Sequence, residues 1–280
     1  MNIETVIAEV RDLPPTPQIL PKLQKILRDP EAGLDDVVDL VKVDPALTAQ
    51  IVRLSNSGWY GGSTPSENIN DAINRVGFQE VYKLVSLVTS NQVLGIAAPI
   101  YHMAKGELFE RSIGAALLME RIGQMQRLDK DATYTAGLLH GIGKVVINSY
   151  CLERGLEIYS QDDDADELDP QMERMVLGFV HTEVAGTILR RWGFSDAIAE
   201  AIEYHPEPLN APNFTHEASL LHLASWISYN KYLDQNIPIS KSPNQEVLEQ
   251  AGLTVEILQD CVEETRESVQ ALQSIFRKKS

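Results

Sequence analysis

Apolar residues recur along this chain at spacings of three and four, the mark of helices that bury one face. Residues 34–43 form a short amphipathic stretch, and Asp44-Pro45 then supplies an N-cap and a first-turn proline for a helix whose face carries Leu47, Ile51 and Leu54. That helix is expected to stop in the loop-forming run 56–62. Residues 69–76 and 78–94 read as two helices parted at Gly77.

A second block opens near Glu107, where Leu108, Ser112, Ala115, Ala116 and Met119 line one face. Asp131 is expected to cap a helix that runs on through Leu138, Leu139, Ile142, Val145 and Val146. Further helices are expected over 182–192, 196–204 and 215–232, the first two parted by Gly193-Phe194-Ser195. The last, 254–276, sets Leu258, Cys261, Val262, Thr265, Val269, Leu272 and Phe276 against an acidic face. Strand-like alternation is absent over useful lengths, so the fold class expected is all-α. An N-terminal lobe over 1–100, a helical core over 101–235 and a C-terminal amphipathic segment over 236–280 complete the organisation expected.

Composition narrows the function classes. The net charge of -16 repels phosphate backbones and anionic lipid, so neither nucleic acid nor a membrane is an expected partner. Read as a helix–turn–helix around Gly77, residues 70–84 offer only Arg75 and Lys83 as cations, too few for duplex binding. No apolar run nears the ~20 residues of a membrane span, and no leader pattern opens the chain, so a cytoplasmic location is expected. Cys151 and Cys261 have no metal-type spacing and are expected to be free thiols. The acidic run 161–170 lacks the alternating oxygen ligands of a calcium loop and reads as a solvated surface loop.

The histidines carry the candidate chemistry. His140 lies in a glycine-rich segment with Gly137, Gly141 and Gly143, which points either to close helix packing or to the floor of a pocket. His181 and His205 each extend an inward-facing apolar stripe, and three inward imidazoles from three consecutive segments suggest a shared site. His102, His216 and His222 read as surface or helix-face residues. Gly137 to Lys144 is one residue too long for a phosphate loop and has Val145 where Ser or Thr is required.

Several motifs in order resemble the HDOD domain, the HD-related output domain of bacterial signal transduction. They are Leu13-Pro14-Pro15-Thr16-Pro17, the run 43–57, the run 69–77, Gly137 to Lys144, the run 178–186, Trp192-Gly193-Phe194 and His205. The resemblance implies an HD-like helical bundle with an N-terminal helical lobe. It also implies kinship with metal-dependent HD phosphohydrolases, including enzymes that cleave cyclic dinucleotides.

By that resemblance, His140, His181 and His205 keep metal-ligand positions, whereas Arg111 stands at a first histidine ligand, Gly141 at the bridging aspartate, Pro206 at a second adjacent histidine and Ser225 at a final aspartate. The carboxylates that would neutralise the ions and help form hydroxide are missing, and Arg111 would repel a cation. Glu110 and Glu183 are weak candidates for a base. The expected function is therefore a regulatory module without catalysis and without a cofactor. It would act through protein contacts or by sensing a nucleotide or other anion, at Arg111, in the emptied pocket formed with His140, Gly141 and Ser225. The alternatives are a phosphohydrolase holding one divalent transition metal on the three histidines, and a scaffold whose histidines are satisfied in the core.

Overall fold

The computed structural model describes residues 2–10, 18–61, 65–78, 80–158, 170–233, 235, 238–239 and 244–277. The Leu13 to Pro17 motif and nearly all of the acidic run at 161–170 lie outside them. Among the described residues every regular element is helical, and the only extended pairing is a single bridge between Ala98 and Met103.

The chain opens with α1 (Ile3–Glu9) and continues through α2 (Ile19–Arg28), α3 (Leu34–Lys42), α4 (Pro45–Ser55), α5 (Ile69–Val76) and α6 (Val81–Leu94). Then come α7 (Glu107–Met125), α8 (Lys130–Leu139), α9 (Ile142–Arg154), α10 (Pro170–Leu177), α11 (His181–Arg191) and α12 (Asp196–Tyr204). The last are α13 (Thr215–Tyr229), α14 (Gln245–Gln250) and α15 (Val255–Arg277).

Two compact units result: Pro14–Gln92 is one, and Met1–Leu13 with Val93–Ser280 is the other. The division differs from the expected one near residue 100. The first helix joins the larger unit, where α1 packs on α9 and α11, a return that no local pattern encodes. The C-terminal helix packs on this unit too. Along α15, Leu258, Val262, Val269 and Leu272 are fully buried, and Phe276 meets Phe109 of α7 edge-on at 4.9 Å.

In the smaller unit, Asp44 caps α4 by accepting from the amides of Ala46 at 2.8 Å and Leu47 at 3.0 Å. Asn56 then brackets Ser66, donating to its carbonyl at 2.9 Å and accepting from its amide at 2.7 Å. This pair closes the loop between α4 and α5.

Two local expectations are corrected. Asp129, not Asp131, caps α8, accepting from the amides of Asp131 and Ala132. The helix expected to run on through Val146 is two helices, with His140 closing α8 and Gly141 opening α9.

Of the two explanations for the glycines, the structure places Gly137 and Gly143 with close packing. A Cβ on Gly137 would lie 2.6 Å from Ala116 Cα, so α7 and α8 touch backbone to backbone. A Cβ on Gly143 would lie 1.8 Å from the carbonyl oxygen of His181, which puts α9 equally close to α11. At Gly141 the neighbour is instead the Leu108 side chain, 2.7 Å away at Cδ1. Gly143→Ala should therefore destabilise the fold by about 2–3 kcal/mol, because backbone cannot yield as a rotamer does. Gly141→Ala should cost less, roughly 1 kcal/mol, since Leu108 can turn. Urea unfolding of the two variants checks the order.

Candidate functional site

The site grows from two helix ends built alike. At the end of α8 the His140 ring folds back, and its Nδ1 donates to the carbonyl of Gly137 at 2.7 Å. At the end of α12 His205 does the same to Ile202 at 2.8 Å. Each ring satisfies a carbonyl that the helix terminus leaves without an intrahelical partner. The two rings meet edge to face at 5.6 Å. Because a carbonyl can only accept, both Nδ1 atoms carry the proton and both Nε2 atoms keep a lone pair.

Burial enforces that neutral state. It pushes the His140 pKa down to about 4, against the raising effect of the Gly137 hydrogen bond, and the charges of Lys144, His181 and Arg111 lower it further. His205 is held well below the usual imidazole value by burial first, then by its neighbour His140.

His181 opens α11, and its partner is Glu173 of α10, a fully buried carboxylate that sequence reasoning missed. The His181 ring Nδ1 donates to Glu173 Oε2 at 2.9 Å, and its backbone amide donates to the same atom at 2.6 Å. The Tyr101 hydroxyl donates to Oε1 at 2.6 Å. Burial alone would raise the Glu173 pKa; the His181 charge and these hydrogen bonds outweigh it and hold the group below the usual carboxylate range. The position, at the N-terminus of α11, also favours an anion. Lys144 sits 5.6 Å from the centre of the Tyr101 ring, at the edge of the same cluster.

The structure thus brings His140 and His205 together, with His181 near enough to act on both by charge. His222, on a face of α13, is half-buried beside them and donates from Nδ1 to the carbonyl of His205 at 2.8 Å. His216 lies on the same helix. It bridges the Gln250 carbonyl and the Gln126 side chain, each at 2.9 Å.

Arg111 does not join the histidines by contact. Its guanidinium pairs with Glu107 at 2.5 Å and lies 4.4 Å from the centre of the Tyr229 ring. Ser225 is half-buried on α13, and Pro206 is half-buried just beyond His205. Neither base candidate is a free carboxylate. Glu110 pairs with Arg277 at 2.6 Å, while Glu183 accepts from the Val180 amide at 2.9 Å and from Arg174 at 3.0 Å.

Several features of this donor set bear on metal binding. Gly141 offers no ligand, and Leu108 occupies the space a side chain there would enter. Glu173 spends its oxygens on Tyr101 and His181. Among the described residues, no three His, Cys, Asp or Glu side chains are grouped so as to hold a metal ion. Cys151 and Cys261 are both free and buried.

The neutral rings have a consequence for stability. An unfolded histidine takes up a proton near pH 6.5, whereas folded His140 resists until about pH 4. The unfolded state therefore binds more protons as pH falls, and stability is lost from pH 6.5 down to about pH 4. His140 alone accounts for a loss on the order of 3 kcal/mol, with His205 adding in the same direction. Glu173, whose folded pKa is lowered, loses its contribution only as pH drops beneath the ordinary carboxylate value of 4.5. His140→Asn, which can keep an amide donor toward Gly137, should flatten the stability profile between pH 6.5 and 4.5, as read by urea titration at each pH.

Comparison with known proteins agrees with this architecture. The HDOD domain model matches residues 13–208. A putative signal transduction protein from Marinobacter aquaeolei VT8 superposes with a TM-score of 0.72 at 23% identity, covering 94% of this chain and 59% of that one. A putative phosphohydrolase from Shewanella amazonensis SB2B superposes with a TM-score of 0.69 at 20% identity, covering 96% and 97%. An uncharacterized protein of Treponema pallidum (strain Nichols) is 24% identical over 208 residues, and the match takes in 74% of this chain but only 40% of that relative's length. Among the described residues no helix is long and apolar enough to cross a membrane. With the family model matching well over half its length, the chain belongs to the HDOD domain family.

Proposed function

We propose that this chain is a signal-transduction module that performs no hydrolysis and works through contacts with other proteins. The observation that carries the reading is at position 141. Where an HD hydrolase would place a bridging carboxylate there is glycine, and Leu108 fills the space above it. A hydrolytic site needs acidic ligands to neutralise its ions and make hydroxide. The nearby carboxylate, Glu173, is committed to hydrogen bonds from Tyr101 and His181. The cluster reads instead as a rigid polar core joining α8, α10, α11 and α12, with its donors satisfied inside the fold. Kinship of fold with the Marinobacter protein accords with a signalling role.

One observation favours the hydrolase alternative. His140 and His205 both present an unprotonated Nε2, the state a metal ion requires. Such a centre would have neutral ligands only, without a free carboxylate to serve as base.

The protein, loaded in turn with manganese, iron and nickel, should hydrolyse neither cyclic dinucleotides nor bis(p-nitrophenyl) phosphate above the protein-free blank. Gly141→Asp should gain no activity and should lose about 1–3 kcal/mol of stability through its clash with Leu108. Turnover by the unaltered chain that disappears in His140→Ala would overturn the proposal.

A further inference from the structure

A polar cavity of about 630 Å³ opens among α7, the end of α13 and α15, and none of the clustered histidines lines it. Its volume falls within the range of small-molecule sites. Three cations line it from three elements: Arg111 from α7, Lys231 from the turn after α13, and Arg277 from α15. Two carboxylates line it as well, Glu107 and Glu110, and each is paired with an arginine, Arg111 at 2.5 Å and Arg277 at 2.6 Å. Among the described residues, Lys231 has no carboxylate partner, so the described lining carries three cations against two carboxylates in a chain whose net charge is -16.

Two features mark this as more than a crevice. The Nη1 of Arg111 is buried and has no hydrogen-bond partner among the described residues, although Glu107 and the Tyr229 ring hold its guanidinium in place. Buried donors are nearly always satisfied, and an exception calls for a reason. Lys231, in turn, has a φ of 59°, the left-handed conformation that favours glycine just beyond a helix. A lysine anywhere in the last turn would complement the helix dipole, and a glycine would suit the backbone better. The chain accepts a left-handed backbone at a residue that lines this cavity.

We propose that this cavity binds the phosphate group of a small polar phosphate monoester. Cations arriving from three elements suit the three oxygens of a tetrahedral phosphate better than a flat carboxylate. The rest of the lining is largely amide and hydroxyl groups, including those of Gln273 and Ser228, which suit a hydroxylated body and not a lipid or an aromatic ring. The site goes beyond the proposed function and shares no residue with the histidine cluster, so its failure would leave that reading intact.

Titration calorimetry of the full chain with glycerol 3-phosphate, and with glycerol as the uncharged control, tests the inference. Glycerol 3-phosphate should bind and glycerol should not. Lys231→Gly should weaken binding roughly tenfold or more, the loss of one charge-assisted contact, yet raise the melting temperature by relieving the left-handed lysine. Arg111→Gln should also weaken it. No binding of glycerol 3-phosphate, unchanged affinity in Lys231→Gly, or a lowered melting temperature in that variant would each overturn the inference.

Discussion

The close approach of α9 to α11 is the constraint from which the centre of the larger unit follows. Only a glycine at 143 lets the backbone of α9 reach the carbonyl of His181. That contact places the first turn of α11 beside the segment that holds His140. It also sets His181 where its ring and amide both meet Glu173. A buried carboxylate is tolerable only with such partners, since removing one from water costs several kcal/mol. The pairing of Tyr101, Glu173 and His181 is thus a result of backbone packing as much as of side-chain chemistry.

The same enclosure explains the opposite states of neighbouring groups. His140 and His205 stay neutral because burial penalises their charged form and each has a backbone carbonyl to receive its one proton. Glu173 stays charged because its hydrogen bonds and the His181 ring outweigh the burial term. A cluster in this condition has its polar demand largely met from within, which is what a structural core needs.

Much of the larger pattern could be read from the chain. The 3.6-residue period gave the helical class, and the Asp44-Pro45 cap and the inward direction of His181 and His205 were visible as spacing. Other features depend on tertiary contact. The break at His140 and Gly141 interrupts an apolar stripe that would suit one long helix, so periodicity could not find it. Asp129 and Asp131 are both plausible caps by type, and only the backbone path selects the first. Glu173 gave one faint signal, an acid four residues before buried Leu177 on the same helical face. Arg111 was placed with the histidines by motif alignment, but its guanidinium follows Glu107, one helical turn away on α7.

The central claim is that His140 and His205 form a neutral, hydrogen-bonded core and not a metal centre. Long-range proton–nitrogen NMR of the histidine rings at pH 7, before and after equimolar zinc, tests it most directly. The account predicts that His140 and His205 appear as neutral rings protonated at Nδ1, with nitrogen shifts that zinc leaves in place. Movement of the nitrogen shifts of His140, His181 and His205 together on adding zinc would contradict it.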